Sequence, residues 1–235
     1  MSGSLLFAQE AGSQLQILGS FALGYASNSD INDAAAGVAQ SDADYYNSIV
    51  AGDPFSVDSS KANFTYGFDL DLRYFFGNIG IGAEVGYHTA KAKSEVTGSN
   101  YVDKTTTTIK LDVIPVVATV YYKIPVGEAS NNFLLVGAGL GYYSGKLDVK
   151  YEDNDTIVGD TSYTLKGDQS TIGYHALVEY DYVINSGITF FTGVKVRYVQ
   201  FDKFEKSGAA ITYAGDNISG GLTGINWYIG AGISI

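Results

Sequence analysis

The sequence predicts an all-β chain, an eight-stranded antiparallel up-and-down transmembrane β-barrel with four long extracellular loops and short periplasmic turns. Three observations carry this. Eight segments alternate apolar and polar residues with a period of two, the period of a strand. Their connections alternate long and short, as in membrane barrels. The glycines of these segments, Gly19 excepted, fall on the polar face, where a narrow barrel needs small inward side chains and a solvent-facing surface does not.

Composition fits one such domain. The chain has 235 residues, 29 Gly, 19 Tyr and 12 Phe, but no Cys, which removes disulfides and thiolate metal sites. A net charge of −11 argues against nucleic acid as a partner. No run of eighteen apolar residues exists, and strand-built membrane proteins escape that test. Leu5 to Glu10 reads as the end of an export signal's apolar region and cleavage zone without the basic start. Residues 1–12 are therefore expected to be a signal remnant or disordered tail, and residues 13–235 a single barrel domain.

The first strand runs from Gln14 to Ala26, with Leu15, Ile17, Phe21, Leu23 and Tyr25 on its apolar face. Residues 27–61 are polar and long, with a short surface helix expected over Asp42 to Val50. Phe64, Tyr66, Phe68, Leu70, Leu72 and Tyr74 mark the second strand, and a tight turn at Phe76-Gly77-Asn78 leads to the third, Ile79 to Thr89. A second loop contains Lys91, Lys93 and Thr105 to Thr107. The fourth strand, Thr108 to Lys123, is assigned Ile109, Leu111, Val113, Pro115, Val117, Thr119 and Tyr121 outward, with a bulge at Pro115 because proline lacks a donor.

Beyond a connection at Pro125 to Asn132, the fifth strand carries Leu134, Val136, Ala138, Leu140 and Tyr142 against glycines. Lys146 to Gln169 is read as an acidic loop. The sixth strand has Ile172, Tyr174, Ala176, Val178, Tyr180 and Tyr182 outward, turns at Asn185-Ser186-Gly187, and is mirrored by a seventh with Ile188, Phe190, Thr192, Val194, Val196 and Tyr198. Asp202 to Gly221 is the last long loop, and Ile225 to Ile235 closes the sheet.

A soluble lipocalin-like barrel would show the same alternation. The glycines argue for lipid, and so do the outward faces as assigned, which hold no Asp, Glu, Lys or Arg. Two aromatic girdles are expected. Tyr25, Phe64, Tyr66, Tyr87, Tyr142, Tyr174, Tyr198 and Trp227 would form one near the long loops; Tyr74, Tyr121, Phe133, Tyr182 and Phe190 would form the other.

Leu111 to Tyr122, Val136 to Tyr143 and the closing strand together resemble the small eight-stranded bacterial outer-membrane barrels of the OmpW, OmpX and OmpA-barrel types. The OmpW type is the most similar in pattern, over residues 13–235; Ile235 departs from the Phe with which such barrels usually end. The resemblance implies a place in the bacterial outer membrane. It also implies passage of small, mainly apolar compounds through the barrel mouth and sideways into the membrane.

Candidate site residues follow from the inward faces. Asp69, Asp71, Arg73, Glu84, Lys110, Asp112, Glu179, Asp181, Lys195 and Arg197 are expected inside, with Asp71 and Arg73 near Glu84, and Glu179 and Asp181 near Lys195 and Arg197. They read either as a charged selectivity element or, more simply, as a plug of mutually paired buried charges. His88 and His175 point inward near the mouth, where hydrogen bonding to the interior explains them better than catalysis, since no nucleophile spacing accompanies them. Asp153-Asn154-Asp155 with Asp160 lacks the EF-hand pattern and reads as a solvated acidic loop. No enzyme activity, metal or cofactor is expected. The expected partners are outer-membrane lipid, small hydrophobic solutes and an extracellular partner at the acidic loops. The alternative to transport is a surface-exposed structural or interaction protein with a plugged barrel.

Overall fold

The computed structural model describes residues 14–50, 54–98, 104–127, 131–154, 160–184, 187–213 and 216–235. The expected signal remnant and the Asn185-Ser186 part of one turn lie outside the described residues. The barrel wall consists of β1 (Gln14–Ala26), β3 (Phe64–Phe76), β4 (Ile79–Gly98), β5 (Lys104–Pro125), β6 (Asn132–Asn154), β7 (Thr161–Ile184), β8 (Ile188–Tyr198) and a closing strand, Gly224–Ser234. Between β1 and β3 lie α1 (Ser29–Ile49) and β2 (Phe55–Ser60).

Each wall strand pairs antiparallel with the next, and the closing strand pairs with both β8 and β1, so the ring of eight closes without a free edge. At the turn between β3 and β4, Gly77 adopts a φ of 63°, a conformation that glycine enters without a Cβ penalty. Inward glycines make room for the interior side chains. A Cβ on Gly86 would collide with the Asp69 carboxylate, and one on Gly193 would lie 2.5 Å from the Tyr228 hydroxyl.

The wall is taller than the period-two reading of lipid-facing residues predicted. β4 to β7 continue far past the aromatic girdle, and what reads as loop at Lys91 to Thr107 and Lys146 to Gln169 is largely paired strand. Its apolar pattern inverts at the girdle. Below it the outward residues are apolar, and the inward ones mix the buried charges with apolar side chains such as Phe75, Leu135 and Leu177. Above it Ala90, Ala92, Ile109, Leu111, Leu147 and Val149 face inward and are buried, while lysines and acids face out.

That inversion corrects the assignment of β5. Its buried residues are Ile109, Leu111, Val113, Pro115, Val117, Thr119 and Tyr121, whereas Ile114, Val116, Val120 and Tyr122 are exposed. The stripe that begins as core above the membrane stays inward below it, and both faces are apolar there, so alternation alone chose the wrong side. No bulge forms at Pro115. Val85 pairs with Val116 and His88 with Val113, with two intervening residues on each strand, so the ladder is interrupted without an inserted residue.

The lower girdle is corrected in the same way. Tyr121 and Phe133 are buried inside, while Tyr122, Tyr182 and Phe190 are exposed. The upper girdle includes Tyr174 and Tyr198, whose rings stack at 5.0 Å.

Helix α1 is the main element that the polar character of residues 27–61 concealed. Ile31, Ala34, Ala35, Ala39, Ala43 and Tyr46 recur at helical spacing and are its buried residues. Its first turns join a core with Ile109, Leu111, Tyr143, Phe201, Phe204 and Leu222, which fills the barrel mouth. Its last turns pack on Phe55 and Val96, with Tyr46 stacked on Phe55 at 4.9 Å. Tyr46 donates a hydrogen bond to Asp153 at 3.1 Å, and the Thr105 hydroxyl donates to the same carboxylate at 3.1 Å. Asp153 is thus a docking point for the helix. Its neighbour Asp155 lies outside the described residues.

Candidate functional site: a charged lumen under a folded cap

Eight of the ten predicted interior charges point into the lumen and are buried: Asp69, Asp71, Arg73, Glu84, Glu179, Asp181, Lys195 and Arg197. Lys110 and Asp112 do not. They lie on the outward face of β5 above the membrane belt, bonded to each other at 2.8 Å, and Tyr87 donates to Asp112 at 2.7 Å. Their misplacement follows directly from the inverted face of β5.

The remaining charges pair across the barrel more than along its wall. In a ring of eight, β3 stands opposite β7 and β4 opposite β8, and the interior is narrow enough for long side chains to meet in the middle. Arg73 on β3 forms a two-bonded fork with Glu179 on β7, its Nη1 to Oε1 and its Nη2 to Oε2 at 3.0 Å. It also binds Asp71 through Nε at 2.6 Å and lies over the Tyr121 ring, 4.7 Å from its centroid. The Tyr121 hydroxyl donates to Asp71 at 2.9 Å.

A second layer lies nearer the mouth. Lys195 on β8 reaches Glu84 on β4 at 2.5 Å, and Arg197 bridges Glu84 and Asp69, both at 3.3 Å. The His88 ring sits between Asp69 at 2.8 Å and the Arg197 guanidinium at 3.0 Å, while His175 meets the Thr119 hydroxyl at 3.0 Å.

The expected wall pairs therefore need correction. Glu179 stands beside Gly193 and Asp181 beside Phe191, so neither acid faces Lys195 or Arg197 across the β7–β8 ladder. Asp71 does stand opposite Glu84, as expected, but these are two acids: Asp71 is held by Arg73 of its own strand and Glu84 by Lys195 from across the barrel. Asp181 forms no salt bridge among the described residues. Missed altogether was Lys123, which turns inward at the periplasmic end with its ammonium 3.9 Å from the Phe133 centroid. Its odd position on β5 would have revealed it had that strand's face been assigned correctly.

Above the membrane, half-buried Asp42 on α1 accepts a hydrogen bond from Tyr151. Burial pushes its carboxyl above the usual range; that bond opposes the shift and the nearby Asp153 adds to it. The same burial, with Asp42 and Asp153 close by, raises the Tyr151 phenol. Among the described residues no group of His, Asp and Glu is placed to hold a metal ion.

Fold and lumen together define a transmembrane eight-stranded barrel closed by two layers of ion pairs and a folded cap. Three solved structures are similar to this chain over almost its whole length. OprG, an outer membrane protein from Pseudomonas aeruginosa, is 14% identical over 95% of this chain and 96% of its own, with a TM-score of 0.46. Neisserial surface protein A is 12% identical over 95% and 96%, with a TM-score of 0.42. Ail, the attachment invasion locus protein of Yersinia pestis, solved with the heparin analogue sucrose octasulfate, is 13% identical over 95% and 99%, with a TM-score of 0.41. No protein-family profile and no curated protein sequence matches the chain.

Proposed function

We propose that the protein is an integral protein of the bacterial outer membrane that acts through its extracellular cap and outer wall, with a lumen closed to ions. The observation behind this reading is the pairing of Arg73 with Glu179 and of Glu84 with Lys195 across the full width of the barrel. On this reading the paired charges interrupt the water path through the lumen. Above it, Ile31, Ala34 and Ala35 of α1 form an apolar core over the mouth with Phe201, Phe204, Ile211, Ile218 and Leu222. A barrel filled at both levels serves as an anchor for the surface it displays, and no catalytic role is proposed for His88 or His175. Passage of small apolar compounds, implied by the OmpW-type resemblance, is the second reading; it needs a route that avoids both layers.

Planar-bilayer recording and liposome flux separate the two. The closed barrel shows no steady conductance, and a small apolar solute crosses its liposomes no faster than protein-free ones. A large, steady wild-type conductance that falls in Glu179→Ala would replace the plug with an ion channel.

A further inference from the structure

Above the upper girdle, the outward face of β4 to β7 carries Lys91, Lys93, Lys104, Lys110, Lys146, Lys150 and Lys166, half of the chain's fourteen basic residues. Glu95, Asp112, Asp148, Glu152 and Asp168 share this face, so it is net positive on a chain whose net charge is −11. Lys93 and Lys104 both pair with Glu95, Lys110 pairs with Asp112 and Lys150 with Glu152. Lys91, Lys146 and Lys166 form no salt bridge among the described residues.

The arrangement contains a local conflict. Lys91 on β4 and Lys110 on β5 stand directly opposite each other in the ladder. Like charges in that position destabilise a sheet unless an anion lies between them. Beside them a surface depression of about 470 Å³ is lined by four cations, Lys91, Lys93, Lys104 and Lys150, against two carboxylates, Glu95 and Glu152, with Thr106, Thr108 and Asn154 between them. Ammonium groups with neighbouring hydroxyls suit a phosphate.

A second feature lies lower on the same strands. Ala83, Ala118 and Ala138 leave a shallow apolar groove of about 940 Å³ on the lipid-facing wall, bounded above by Leu140 and Tyr174. From Lys91 to Ala83 is eight residues of one tilted strand, a vertical drop of about 20 Å. That is close to one leaflet, half of the roughly 40–45 Å bilayer with its headgroups.

We propose that this wall binds a phosphorylated glycolipid of the outer leaflet, its phosphate among Lys91, Lys93, Lys110 and Lys150 and an acyl chain in the groove at Ala118. The proposal rests on the outer-membrane placement made above. Charge complementarity selects an anionic occupant, because this face is net positive at headgroup height on a chain whose net charge is −11.

The test reconstitutes the full chain in phosphatidylcholine vesicles, either plain or doped with diphosphoryl lipid A or with phosphatidylglycerol at equal charge. Lipid retained after detergent extraction is counted by native mass spectrometry. The expected result is retention of about one lipid A per barrel and no comparable retention of the other two. The triple variant Lys91→Gln, Lys93→Gln, Lys150→Gln weakens retention about 100-fold, Ala118→Phe weakens it by blocking the groove, and Lys203→Gln, which lines neither the depression nor the groove, leaves it unchanged. Lys91→Glu separates binding from folding. It relieves the repulsion with Lys110, so the barrel in plain phosphatidylcholine is at least as heat-resistant as wild type while lipid A retention falls. Equal retention of phosphatidylglycerol, or full retention by the triple variant, overturns the proposal but leaves the outer-membrane reading standing. Failure of the wild type to insert into any of the vesicles overturns both.

Discussion

Arg73 on β3 and Glu179 on β7 meet across the barrel from strands on opposite sides of the ring, and the guanidinium and carboxylate engage through two parallel hydrogen bonds. Strands separated by three others on either side could not bring two charges together this way unless the lumen were narrow. The pair is therefore a measure of the barrel's bore.

Removing one partner leaves the other charge buried. Arg73→Ala is expected to destabilise the barrel by about 3–5 kcal/mol, read as the shift in urea unfolding in vesicles. The double change Arg73→Met with Glu179→Leu should recover much of that loss, because no charge is then stranded. Equal destabilisation by the double and single variants would mean that the fork is not the source of the effect.

The inverted face of β5 makes a paired prediction. Val116→Arg places a charge in lipid and should cost about 2–4 kcal/mol, whereas Lys110→Ala, at the exposed end of a surface ion pair, should cost at most about 1 kcal/mol. The chain has no cysteine, so single Cys probes at 116 and 117 can be compared cleanly. A lipid-borne quencher should reach a fluorophore at 116 and not at 117; the reverse would restore the opposite face.

Docking of α1 should weaken as pH rises. The carboxyl of Asp42 sits above its ordinary value when the helix is docked, so its protonated form favours the docked state. That contribution is fully present below the ordinary Asp pKa of about 4 and is lost as pH climbs through the raised value. Hydrogen exchange in α1, corrected for intrinsic rate, should show protection falling over this window in wild type but not in Asp42→Asn.

The cap should resist protease because its helix is buried on one side. Thermolysin added to intact cells is expected to spare residues 29–49 in wild type and to cut there in Ile31→Asp, since Ile31 is fully buried in the mouth. Equal cutting of both proteins would mean that the helix stands free of the barrel.

Much of the wall was legible because membrane barrels impose a period-two code, and seven of the eight lipid faces follow from it. Residues such as Leu70 and Val194 are apolar outside and sit between charged or glycine neighbours, so the code is unambiguous there. It fails at β5, where Val116 and Val117 are both apolar and only the pairing partners distinguish them. The interior charges on β3, β4, β7 and β8 were found from alternation, but their partners were not, because contact across a lumen depends on register and bore. Helix α1 was largely hidden because its buried face is mostly alanine, small enough to pass for loop composition.

The inversion of pattern at the girdle has a consequence for biogenesis. On the outer-membrane placement proposed above, the lysines displayed outside β4 to β7 have to cross the hydrocarbon, and each costs about 2–4 kcal/mol at the bilayer midplane. Nor can the apolar residues that meet α1, such as Ile109 and Leu147, find their core until those strands have crossed. Insertion is thus uphill before it is downhill, with the tall hairpins setting the barrier and the cap folding last, as the latch that prevents their return.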